Sequence, residues 1–181
     1  MSARSRTLSR THRNYPAEIE ATIDRLISLH VEASDTYLSL AFFFKDKASV
    51  EVAGLIHFFR DLSEEKRHGA HLLLMQSQQS SCDLFSHEQT MPSYQCDGML
   101  DAMETSLALE KHLYQVLLEL HALSSSNRDR HLCHFLETRF LEKEMKLMKK
   151  LRDNLSTLRQ PTSEEVSLSE CLLKRITFTG D

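Results

Sequence analysis

The sequence predicts an all-α protein: a four-helix bundle with a long crossover between helices two and three and a short fifth helix. Three observations carry this. The 181 residues include only four glycines and three prolines, too little punctuation for a β-rich fold. Four long stretches repeat apolar residues at alternating steps of three and four, the period of a helix with one buried stripe. The links between them run short, long, short, which makes the outer pairs antiparallel neighbours and lets the middle link travel along the bundle.

The first helix spans about Ala17 to Lys45, where Ile19, Ile23, Leu26, His30, Ala33, Tyr37, Leu40 and Phe44 keep one phase. The second runs from near Ser49 into the seventies on Val52, Leu55, Phe59, Leu62 and Leu73, until Gln76 to Ser81 ends the periodicity. A connection of about twenty residues through Pro92 follows, long enough for a crossover. The third helix begins near Asp97 with Met103, Leu107, Glu110, Tyr114 and Leu117 on its inner line, and Ser124 to Asn127 closes it. The fourth extends from about Asp129 to Leu158 with Leu141, Glu144, Met148, Leu151 and Leu155 in phase. Pro161 stops it, and Ser163 with Glu164 and Glu165 resembles the start of a short fifth helix through Leu168, Leu172 and Ile176.

Composition fits one domain, residues 15–181, behind a basic tail, residues 1–14. With 41% apolar and 27% charged residues the chain can bury a sizeable core. Arg4, Arg6, Arg10 and Arg13 lie among Ser and Thr with no acid, the composition of a targeting segment or a mobile tail. The mobile tail is preferred, because no apolar face repeats there. A net charge of -4 argues against nucleic-acid binding, and no apolar run is long enough to span a bilayer. Cys82, Cys96, Cys133 and Cys171 form no C-x-x-C pair and no secretory signal is recognisable, so free thiols in a reducing, cytoplasmic compartment are expected.

Each inner line is interrupted by polar residues: His30, then Lys66 and Gly69, then Glu110, then Glu144. Glu65-x-x-His68 has the spacing with which a helix supplies a carboxylate and an imidazole to a di-iron centre. Its phase is wrong. Extending the apolar rhythm of the second helix selects Lys66 and Gly69, and one residue is about 100° of rotation away. A lysine beside metals would repel them, so the core reads as a buried ion pair of Lys66 with Glu110 and possibly Glu144. A metal site rebuilt from His30, Glu110 and Glu144 is the alternative.

Asp61, Glu64, Glu65, His68 and His71 follow steps of three, one, three and three, along one side of the second helix. Such a strip is a solvated face or a loose, water-accessible site for hard cations. His121, Cys133, His134 and Glu137 form a second group near the third turn, read either as a metal-binding cluster or as a polar helix start with a buried thiol. Glu119 reads as surface charge.

These residues closely resemble the ferritins of vertebrates, and within them the light-chain type. The resemblance rests on Thr36-Tyr37-Leu38-Ser39-Leu40, His57-Phe58-Phe59-Arg60, Glu64-Glu65-Lys66-Arg67, Ala108-Leu109-Glu110-Lys111, Leu117 to Leu123, His131-Leu132-Cys133 and Phe135-Leu136-Glu137-Thr138. It implies a shell of 24 subunits, a homo-oligomer or a hetero-oligomer with ferritin heavy chain, that stores iron as a ferric oxyhydroxide mineral held weakly at the inner surface. The heavy-chain oxidation centre wants glutamate at 30, tyrosine at 37, glutamate at 66, histidine at 69, glutamate at 110 and glutamine at 144. Only Tyr37 and Glu110 match, which implies no enzyme activity.

The light-chain nucleating cluster falls on Asp61, Glu64, Glu65, His68 and His71, where the two histidines depart from glutamate. The acidic pair of the three-fold channel falls on His134 and Glu137, and Leu168, Leu172 and Ile176 fall on the four-fold axis. The expected function is therefore an iron-storage subunit without ferroxidase activity, working alongside heavy chains. The alternatives are a specialised paralogue with a structural role, or a ferroxidase with rebuilt ligands.

Overall fold

The computed structural model describes residues 15–46, 52–77, 96 and 98–160. Its elements are α1 (Ala17–Lys45), α2 (Ala53–Ser77), α3 (Met99–Ser126), α4 (Arg130–Leu136), a π-helical turn (Glu137–Leu141) and α5 (Glu142–Arg159). The last three run on as one rod, the fourth helix of the bundle. The crossover, the fifth helix and the arginine-rich tail expected from the sequence lie outside the described residues.

Cross-helix contacts fix the topology. Tyr15 meets Gln76, Ser34 meets Ser63 and Phe44 stacks on Phe59, so α1 and α2 are antiparallel. Arg25 pairs with Glu119 and Tyr37 with Glu110, which makes α3 antiparallel to α1 and hence parallel to α2. Arg159 reaches Glu104 and Glu137 reaches His121, so the fourth rod returns against α3. Two parallel helices in succession require a connection that spans the bundle, as the long link expected from the sequence would.

The helices form where the sequence puts an apolar stripe. Every inner-line residue of α1, from Ile19 to Phe44, is buried. Glu18 and Glu20 sit in its first turn and Lys45 in its last, each opposite the helix dipole end it favours. On α2, Leu55, Phe59, Leu62, Lys66, Gly69 and Leu73 are buried. The two helices touch closely at Ser34 and Ser63, whose hydroxyls each donate to the other's carbonyl at 2.8 Å. At α4, Asp129 accepts from the Leu132 amide at 3.0 Å, an N-cap. Arg128 before it turns the chain with φ 57°.

The fourth rod differs from the expected helix in one respect. From Leu132 to Met148 the buried positions are Leu132, Leu136, Phe140, Glu144 and Met148, successive steps of four. On an ideal α-helix each such step drifts by about 40°, so the stripe would wind off the core. The wider π turn absorbs part of that drift. It brings Phe140 inside, where sequence phase had favoured Leu141, which is half-buried.

Candidate functional site

The polar interruptions of the four inner lines meet at the bundle centre. Lys66 Nζ donates to Glu110 Oε2 at 2.6 Å and to Glu144 Oε1 at 2.5 Å. Tyr37 donates its hydroxyl to Glu110 Oε1 at 2.5 Å. Lys66, Glu110 and Glu144 are 4%, 0% and 5% exposed, so water screens none of these charges. The ion pair expected from helical phase is present, and Glu144 takes part in it.

Burial alone would neutralise all three groups, and the pairing decides which keep their charge. For Lys66 the two carboxyls outweigh burial and raise its pKa above the ordinary lysine value. For Glu110, Lys66 and the donated hydrogen bonds outweigh burial, leaving it below the usual carboxylate range. Glu144 goes the other way: burial first, then the neighbouring Glu110, push it well above that range. The two carboxyls thus share one negative charge against one ammonium. Glu144 Oε2 is the one buried side-chain oxygen among the described residues with no hydrogen-bond partner.

His30 closes the group from α1. Its Nδ1 lies 2.8 Å from the Leu26 carbonyl, so Nδ1 carries the proton and Nε2 the lone pair. Burial, and then the Lys66 charge, lower its pKa to about 4. The ring lies edge-on to Phe140, with centroids 5.5 Å apart, and over Gly69. Periodicity found Gly69 without explaining it: the imidazole fills the space a side chain there would need. Sequence reading missed the roles of Phe140 and of the Ser34 and Ser63 pair, since neither a π turn nor a close helix approach has a local signature.

An ammonium bonded to both carboxyls stands where a cation would sit between them. Two cations could bind here only after displacing Lys66, and the partners that remain, one carboxylate, one carboxylic acid and one imidazole, are a poor ligand set for a di-iron pair.

Asp61, Glu64, Glu65, His68 and His71 are all exposed on α2. Glu65 and His68 border a small cavity of about 60 Å³ that also touches His30, Lys66 and Glu144, so the strip adjoins the closed centre. Among the described residues no three His, Cys, Asp or Glu side chains converge closely enough to chelate one metal ion. The strip displays separate ligands on a surface.

The second group gathers at the turn between α3 and α4. His121 Nε2 lies 2.8 Å from Glu137 Oε1, and Cys133 Sγ 3.9 Å from the His121 carbonyl. With His134 they line a cleft of about 700 Å³. Burial, then Glu137 and Asp129, raise the Cys133 pKa, which keeps the thiol protonated. Glu119 pairs with Arg25 at 3.3 Å on the surface.

An up, down, down, up bundle with ionisable groups from every helix at its centre defines a class, the ferritin-like proteins. The ferritin-like domain family matches residues 20–160. The chain is 47% identical to the ferritin light chain of Oryctolagus cuniculus and to that of Felis catus, in each case over 96% of this chain and 99% of the relative. It is 47% identical to ferritin light chain 1 of Rattus norvegicus over the same shares. The protein belongs to the ferritin family. Among the described residues no helix is long and apolar enough to cross a membrane.

Proposed function

We propose that this chain is an iron-storage subunit of a ferritin shell and lacks ferroxidase activity. One observation carries the reading: Lys66 binds both Glu110 and Glu144 at 2.6 and 2.5 Å, in the place a di-iron pair would occupy. Ferrous iron is the cargo, oxidised on heavy-chain subunits of the same 24-subunit shell in the cytoplasm. Ferric iron then collects at Asp61, Glu64, Glu65, His68 and His71, whose exposed oxygens and imidazoles suit hard and borderline cations.

The decisive experiment mixes purified homopolymer with ferrous iron and oxygen in a stopped-flow cell. Oxidation at the uncatalysed rate, with no transient di-iron absorbance, is the expected result. A fast phase would favour a ferroxidase with rebuilt ligands. Particles that stay empty in iron excess, even when co-assembled with heavy chain, would instead point to a structural paralogue.

A further inference from the structure

The cavity of about 60 Å³ between α2 and the fourth rod borders chemistry that the ion pair leaves over. Its lining includes His30 and Glu144, both buried, and Glu65 and His68, both exposed. Glu144 Oε1 accepts from Lys66, while Oε2 is buried with no partner among the described residues. The imidazole presents a matching group. Its Nδ1 is turned to the Leu26 carbonyl of its own helix, so Nε2 lies on the opposite edge, toward Gly69, which also borders the cavity.

The donors and acceptors already in use fix what these two atoms can do. One ammonium serves two carboxyls, and Glu110 takes the Tyr37 hydroxyl as well, so Glu144 is the less supported anion and holds the shared proton. Burial and the Glu110 charge push it the same way. With Oε1 engaged by Lys66, the proton sits on Oε2, which becomes a donor, and Nε2 is an acceptor.

A ligand between them must accept from one and donate to the other, which water does. A metal ion would meet a carboxylic acid and three cationic side chains, Lys66, Arg139 and Lys143, whereas an anion would face the Nε2 lone pair and Glu65. The volume admits water and little that is larger. Buried polar atoms without a protein partner are the places ordered water occupies. One bound water is not bulk solvent, so the buried charges stay unscreened.

We propose that this cavity binds water bridging Glu144 Oε2 to His30 Nε2, and that this water exchanges the Glu144 proton with solvent at the Glu65 and His68 edge. In heavy water the Oε2–H bond breaks, its proton passes to a water oxygen, and a deuteron returned from solvent forms Oε2–D. Nothing is oxidised or reduced. The site depends on the bundle centre alone and stands whether or not the chain stores iron.

The test uses the full-length protein, free of iron, in the assembly it adopts. A high-resolution crystal structure should show water within about 3.2 Å of both atoms. Infrared difference spectra of wild type against Glu144→Gln should show one protonated carboxyl, whose C=O stretch shifts within minutes in heavy water. His30→Phe keeps a ring over Gly69 and removes the acceptor, so exchange should slow by about tenfold. His30→Gln, which returns an acceptor, should recover most of that rate. An empty cavity, or anomalous scattering from soaked zinc or bromide in place of water, overturns the proposal. So does the absence of a protonated carboxyl, or exchange as fast in His30→Phe as in wild type. Should His30→Phe not fold, the wild-type structure and spectra still decide.

Discussion

The imidazole of His30 occupies the volume into which a side chain at Gly69 would project. A Cβ there would lie 2.7 Å from His30 Cδ2, 3.1 Å from its Nε2 and 3.2 Å from Phe140 Cε1. The ring has little room to retreat, pinned by the Leu26 carbonyl at one nitrogen and by Phe140 at its edge. Gly69→Ala should gain about 1 kcal/mol of helix propensity and lose about 1–3 kcal/mol to overpacking. A lower urea midpoint is therefore expected. Adding His30→Ala should restore the space, so that the double variant exceeds additivity by about 1 kcal/mol. Strictly additive losses would mean that the two positions do not compete for one volume.

Lys66→Ala leaves Glu110 ionised and buried beside Glu144 with its main counter-charge gone. Destabilisation of about 3–5 kcal/mol is expected, read from guanidinium denaturation. Replacing the group together, as Lys66→Met with Glu110→Leu and Glu144→Leu, removes every buried charge at once. That variant should lie near wild type or above it. A Lys66→Ala loss below about 1 kcal/mol would show that the pair is not what neutralises the centre.

His30 makes the fold acid-sensitive in a defined direction. Its pKa is about 4 in the folded chain and 6.5 in the unfolded one, so between those values the unfolded state binds more protons. Stability from this group is full above pH 6.5 and is lost as pH falls toward 4. The loss approaches about 3 kcal/mol. Glu144, raised by burial, acts with the opposite sign, contributing stability that is lost as pH rises above its unfolded value. Comparing wild type with His30→Gln isolates the imidazole: the variant should gain relative stability as pH falls from 6.5 to 4, and parallel curves would exclude the effect.

Helical phase was enough to place Lys66, Gly69, Glu110 and Glu144 in the core and Glu65 and His68 outside it, because burial in a bundle follows a period every helical residue obeys. Pairing across helices was legible only as charge complementarity, so Glu144 entered as an uncertain partner of Lys66. Phe140 was illegible. Its burial depends on a π turn, and a run of steps of four is visible from Leu132 to Met148 only to a reader who does not impose the three-four alternation. The reason for Gly69 lay on another helix, 39 positions earlier at His30, and no local rule connects them.

The exposed strip on α2 makes the last prediction. Glu64 and Glu65 offer carboxylate oxygens that suit ferric iron, whereas His68 and His71 offer imidazoles that suit softer cations and carry no negative charge. Glu64→Gln with Glu65→Gln should lengthen the lag before mineral growth in homopolymer by about twofold or more, and His68→Glu with His71→Glu should shorten it by a similar factor. Absorbance growth at fixed pH and iron load reads both. These four positions are exposed, so melting temperatures should stay close to wild type, which separates a nucleation effect from loss of fold. If neither pair alters the lag, mineral starts elsewhere, and the strip is a solvated charged face of α2.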